Sequence, residues 1–130
     1  MSLRTPAEFR DWPAEMPVSY GPYRARVRYL VDGDTFDAFV DLGGRTYAYW
    51  TVRLLGVNTP EKNRPGTREA GYRALAFVQD VMPVGKPVIL FDTRPDTDSF
   101  GRWLARVMIA PGVDLGSLLL DAGYAVKMER

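Results

Sequence analysis

Between Tyr23 and Val57 the chain repeats the two-residue alternation of β-strands three times, with short turns between the runs. Successive side chains of a strand point to opposite faces, so each run commits one face to a core. Arg24 to Val31 reads as a first strand. Asp34 to Asp41 reads as a second, with Phe36, Ala38 and Val40 on one face and Thr35, Asp37, Phe39 and Asp41 on the other. Gly43-Gly44 marks a turn. One long strand is then expected from Arg45 to Val57. Its Ala48, Trp50, Val52 and Leu54 share the core face, and Tyr47, Tyr49, Thr51 and Arg53 share the opposite one.

The texture changes after Val57. Asn58 to Thr67 is a polar loop with two prolines, and residues 67–82 have helical spacing at Ala70, Ala74, Phe77, Val78 and Val81. Thr67 is the expected cap. Residues 86–92 form a short apolar strand, 93–100 a polar loop and 101–110 a fifth strand. Asp114 is placed to cap a last helix over 115–122, closed by Gly123. Three meandering strands, a helix, two strands and a helix is the order of an OB barrel. The expected fold is therefore α+β and mainly β: a five-stranded OB-like Greek-key barrel with two helices. Residues 1–22 read as an irregular lead-in and 23–130 as the domain. With 46% hydrophobic residues in 130, one core is affordable. No apolar run is long enough to span a membrane, and residues 1–22 lack the apolar core of a signal peptide, so neither is expected. The compartment stays open.

Absences narrow the chemistry. The chain has no cysteine and no histidine. That removes disulfides, thiolate or imidazole zinc sites, cysteine nucleophiles and serine–histidine triads. Hydrolytic chemistry would have to come from carboxylates, Arg, Lys, Tyr or a hard metal held by oxygen. The net charge of +1 argues against a binder driven by bulk charge, but leaves room for a local arginine cluster.

Three segments carry candidate chemistry. Asp32-Gly33-Asp34-Thr35 is a hairpin turn on the plain reading; the functional reading has Asp34 projecting a carboxylate from the strand end toward a cation. A tight turn is also a rigid mount, so both can hold. In Arg53-Leu54-Leu55-Gly56-Val57-Asn58-Thr59-Pro60-Glu61, an arginine interrupts an apolar strand, where an unpaired charge is costly. Pro60 keeps Thr59 extended. Strict alternation puts Arg53 and Asn58 on opposite faces, so a shared site requires a bulge near Gly56 or the strand end to turn Asn58. The plain reading is a strand leading into a loop with solvated charges. Asp98-Ser99-Phe100-Gly101-Arg102 is a turn that supplies a second guanidinium, or simply an exposed arginine.

Taken together and in this order, the segments resemble the staphylococcal nuclease (thermonuclease-like) family. Its signatures are an Asp-Gly-Asp-Thr turn, an Arg-Leu-x-x-Val-Asp-Thr-Pro-Glu segment and an Asp-x-Tyr/Phe-Gly-Arg segment. The likeness runs from about Val31 to Val126 and includes Gly101 to Ala105 and Leu120 to Ala125. It implies a Ca²⁺-dependent nuclease acting on DNA and/or RNA, with one weakly bound ion. It assigns Asp34, Asn58 and the Thr59 carbonyl to the metal, Glu61 to water activation, Arg53 and Arg102 to phosphate, and Asp32 to support. Asn58 stands where the family usually has aspartate. Ser99 and Phe100 replace a basic residue and a tyrosine. The chain reaches Arg130 before the family's long third helix, so a third C-terminal helix is expected to be absent.

These residue types suit phosphodiester hydrolysis. Arginine forks match phosphate oxygens, a hard cation polarises them, and a carboxylate takes the proton of the attacking water. Glu61 is the natural base where no histidine exists. The alternative is a non-catalytic OB module that binds single-stranded nucleic acid or protein, with Tyr47, Tyr49 and Tyr124 stacking on bases or merely packing. No protein partner is evident in the sequence.

Overall fold

The computed structural model describes residues 7–9, 11 and 21–128. Of the lead-in expected over 1–22, Ala7–Phe9 form a 3₁₀ turn, and most of the rest lies outside the described residues. The domain runs β1 (Tyr23–Asp32), β2 (Thr35–Gly43), β3 (Thr46–Leu54), β4 (Val57–Asn58), α1 (Arg68–Val81), β5 (Pro87–Pro95), β6 (Arg102–Ala110), β7 (Val113–Asp114), α2 (Leu115–Asp121) and β8 (Val126–Lys127).

Strand order is β3-β2-β1-β5-β6, and a parallel pairing of β3 with β6 closes the five long strands into an OB-like barrel. The alternation explains the closure. Phe36, Ala38 and Val40 from β2 and Val52 and Leu54 from β3 turn inward, where each is almost fully buried. Leu90 of β5 and Val107 of β6 complete that layer. The helices stopper it with Leu75 and Val78 of α1, Met82 just beyond, and Leu115 and Leu119 of α2, all in the same apolar cluster. Burying a side chain such as Phe36 contributes about 2–3 kcal/mol, so this layer supplies the main drive to fold.

Several expectations change in detail. The long strand expected over 45–57 breaks at Leu55-Gly56. Gly56 takes a φ of +81°, which only glycine adopts freely, and β4 begins beyond it. Ala48 and Trp50 keep the predicted face but are only half-buried, because that end of β3 lies at the barrel mouth. There Trp50 stacks on Trp103 at 4.3 Å and meets the edge of Tyr23. Thr67 does not cap α1 with its side chain; its hydroxyl donates instead to the Glu61 carbonyl at 2.6 Å. The polar loop expected to start at residue 93 is strand as far as Pro95. A bulge at Asp92, with φ +53°, re-registers β5 so that Arg94 and Pro95 pair with Leu104 and Trp103. Asp114 does cap α2, accepting from the Ser117 N–H at 3.0 Å. No helix among the described residues is long and apolar enough to cross a membrane.

Candidate active site

The β1–β2 hairpin places the first two acids. Asp32 pairs with Thr35, leaving Gly33 and Asp34 as the turn, and the Asp32 carboxylate accepts from the Asp34 N–H at 3.1 Å. The hairpin and the inward-turned carboxylate therefore coexist. Gly33 has no room for a side chain: a Cβ would come within 2.9 Å of Ala74 and 3.0 Å of Thr59. This contact presses the turn against α1 and the Thr59 loop.

Asp34 is 7% exposed and held on both oxygens. One accepts from the Thr35 hydroxyl at 3.0 Å. The other accepts from the Thr59 N–H at 2.9 Å and lies 3.4 Å from Arg53 Nη2. Arg53 sits on the face that alternation assigned it, away from the barrel core, yet it is 6% exposed. The chain that turns back at Gly56 roofs it. Its Nη1 donates to the carbonyls of Leu54 and Val57 at 2.7 and 2.8 Å, and its Nη2 donates to Asn58 Oδ1 at 2.9 Å. Met128 Sδ is 3.6 Å from the same nitrogen, brought there by the pairing of β8 with β4. The break at Gly56 is thus what turns Asn58 toward Arg53.

The two aspartates have opposite proton affinities. Burial pushes the Asp32 carboxyl up to about 6, helped by the hydrogen bond to Asp34 and that group's charge. Burial would also raise Asp34, but the Asp32 carboxyl, the Thr59 N–H, Arg53 and the Thr35 hydroxyl together hold it below the ordinary carboxylate value. Below about pH 6 the pair shares one proton, and above it the two carboxylates carry one negative charge more than Arg53 neutralises. Thr59 is 2% exposed, and its hydroxyl has no hydrogen-bond partner among the described residues. Leaving such a group unpaired costs about 1–3 kcal/mol. Surplus carboxylate charge beside an orphaned buried oxygen fits a hard cation such as Ca²⁺ and does not suit zinc. The donor set is sparse: among the described residues no three acids group as a metal cluster.

Glu61 and Arg102 lie on other elements, and among the described residues neither is hydrogen-bonded or ion-paired to Asp34 or Arg53. Glu61 follows Thr59-Pro60 into the loop, with its carboxylate 60% exposed and paired to Arg64 at 2.9 Å. Its place is set by Gly71 of α1, where a Cβ would fall 2.5 Å from the Lys62 nitrogen and 2.9 Å from the Glu61 carbonyl carbon. Arg102 opens β6 and lies across from Thr51, two residues along β3 from Arg53. Its Nε and Nη2 both reach Asp96 Oδ2 at 2.7 Å, and Asp96 is buried. Sequence reasoning missed Asp96 and Gly71, and read Gly33 only as a turn residue. Nothing in the local spacing separates Asp96 from Asp98 as the partner of Arg102, and Gly71 carries no motif, only close approach.

The chain thus belongs to the class of closed OB-like barrels, with a buried aspartate–arginine pair where the first hairpin meets β3. The family model described as staphylococcal nuclease homologue matches residues 51–130, and the chain belongs to that family. The match takes in Arg53, Asn58, Thr59, Glu61 and Arg102, and begins after the Asp32–Asp34 turn. An uncharacterized protein of Methanocaldococcus jannaschii is 34% identical over 125 residues, covering 79% of this chain and 58% of that protein. The chain thus spans a little over half the length of this relative.

Proposed function

We propose that the domain is a Ca²⁺-dependent nuclease that hydrolyses phosphodiester bonds of DNA and/or RNA. The observation that carries this reading is the Asp32–Asp34–Thr59 cluster: two adjacent carboxyls with one proton affinity raised, beside a buried hydroxyl without a partner. Family membership supports a nucleic-acid substrate. The Asp34 carboxylate, the Thr59 carbonyl and the Asn58 amide oxygen, once it leaves Arg53, would hold the cation, with Asp32 in support. When bound, the ion would polarise a phosphoryl oxygen and lower the proton affinity of water.

The chain's own groups do the rest. Arg102 is partly open to solvent and braced by Asp96, so its fork is oriented before a phosphate arrives. Arg53 supplies fixed positive charge from beneath the site, where low dielectric strengthens its pull on developing negative charge. Glu61 is the exposed carboxylate of this loop and takes the proton of the attacking water.

The experiment is nicking of supercoiled plasmid and cleavage of single-stranded DNA and RNA, with Ca²⁺ or with chelator. Activity should require the cation and fall about 10²-fold or more in Glu61→Gln with the fold intact. A folded Glu61→Gln protein that cleaves at the parent rate would end the assignment of the base. A second reading, the non-catalytic OB module, is favoured by one observation: Arg53 is already engaged by protein acceptors and Asn58 lacks the charge of an aspartate. No cleavage of any of these substrates in Ca²⁺ would select it.

A further inference from the structure

We propose that the outer face of β1, β2 and β3 is a track for single-stranded nucleic acid that leads into the Asp34–Arg53 site. This deepens the nuclease reading and rests on it only for the identity of the substrate.

Strand pairing arranges this face in rows. Arg26, Phe39 and Tyr49 lie side by side across the three strands. The next row is Tyr29, Asp37 and Thr51, continued by Arg102 on β6. The row after that is Thr35 and Arg53, the floor of the site. At about 3.3 Å per residue, Tyr49 stands about 13 Å along β3 from Arg53, within reach of a short stretch of extended strand.

Its aromatics are open. Tyr29, Tyr47 and Tyr49 are 58%, 55% and 60% exposed, which burial in the core does not explain. Phe39 stacks on Tyr47 with centroids 5.4 Å apart, and the Arg28 guanidinium lies 5.5 Å from the Phe39 ring centre. Tyr124 differs: it packs half-buried on Phe77 at 4.9 Å, so it is excluded from this role.

The face carries Arg24, Arg26 and Arg28 against Asp37 and Asp41, a net positive balance. Arg24 is tied to Asp41. Among the described residues no carboxylate pairs with Arg26, Arg28 or Lys86. Beside the aromatics runs a groove of about 900 Å³, lined among others by Arg24, Arg26, Lys86, Asp41, Phe39 and Tyr47, with Asp41 paired to Arg24. Tyrosine planes next to guanidinium groups that no carboxylate among the described residues neutralises are the combination that stacks bases and tracks their phosphates without reading sequence. A duplex keeps its base faces stacked inside and would leave the tyrosines unused. The occupant is therefore a single strand.

The test is binding of a labelled oligothymidylate, followed by fluorescence anisotropy in chelator so that no turnover occurs. Tyr47→Ala/Tyr49→Ala should weaken binding at least tenfold with unchanged far-UV circular dichroism, because each lost stack is worth about a fivefold change or more. Tyr47→Phe/Tyr49→Phe should bind like the parent, and a matched duplex should compete poorly. Equal affinity of parent and alanine variant overturns the proposal, as does a duplex that competes as well as the single strand. A concentration-dependent dimer abolished by the alanine pair, without oligonucleotide binding, would instead assign the face to a second copy and overturn it. Tyrosine-dependent binding without cleavage in any cation would sink the nuclease reading and leave the track. Cleavage with tyrosine-independent binding would do the reverse.

Discussion

Gly71→Ala tests whether α1 really clamps the loop that carries Glu61. Two effects oppose each other. In a 14-residue helix, alanine for glycine gains about 1 kcal/mol of helix propensity if the site is open. Here the new Cβ would sit 2.5 Å from the Lys62 nitrogen, 2.7 Å from its Cα and 2.9 Å from the Glu61 carbonyl carbon. All three are backbone atoms, which cannot swing aside as a side-chain tip would. Overpacking of this kind costs about 1–3 kcal/mol, so the clash outweighs the propensity in most of that range. We expect a net loss of about 1 kcal/mol and a Tm lower by about 3–6 °C. Ala76→Gly, on the exposed side of α1, calibrates the propensity effect alone. Urea unfolding of both variants, with nicking rates at a temperature where both are folded, is the assay. Gly71→Ala should lose more activity than Ala76→Gly at matched stability, because it displaces Glu61. A Gly71→Ala protein as stable as the parent, or more so, would show that the helix and loop do not meet this closely.

Asp32 makes a pH prediction. Its folded-state pKa, about 6, exceeds its ordinary value of 3.8, so the native state holds the extra proton between those values. Stability without metal should then fall as pH rises through that window. Asp32→Asn, which still accepts from the Asp34 N–H, should flatten the fall and gain about 1 kcal/mol at pH 7 after discounting for partial exposure, as read by thermal melts in chelator. A variant whose pH profile overlays the parent would refute the coupling. Arg53→Lys should lose both activity and about 3 kcal/mol of stability, because the buried Asp34 and the Leu54 and Val57 carbonyls lose their shared partner; urea midpoints decide, and a parent-like midpoint contradicts the burial argument. Asn58→Asp should tighten Ca²⁺ binding in calorimetric titration by adding charge to the site. If affinity stays the same, Asn58 serves Arg53 and not the metal.

The barrel was legible because its information is local. Alternation on β2 and β3 assigned Phe36, Val40, Val52 and Leu54 to the core, and each is buried. The capping pattern at Asp114 worked for the same reason, since the bond from Ser117 spans three residues. The sequence by itself also narrowed the chemistry available: with no histidine and no cysteine, carboxylates, arginine, lysine, tyrosine or a hard metal held by oxygen remain.

What depended on tertiary structure is everything that one segment does to another. Alternation put Arg53 on an outer face, where a charge is normally solvated. Only the reversal at Gly56 and the return of β8 bury it and supply its acceptors. Thr67 looked like a cap, but the loop before α1 offered the Glu61 carbonyl first. Gly33 was legible as a turn residue and Gly71 not at all, and the close packing at both lies in the atoms that press against them. The pairing of Arg102 with Asp96 depends on how the 96–102 turn folds back on itself, which residue spacing does not specify. Periodicity encodes which face of an element is apolar. Which charged group meets which, and how deeply, is decided when the barrel closes, because water is excluded only then and the cost of an unpaired charge selects the contacts that survive.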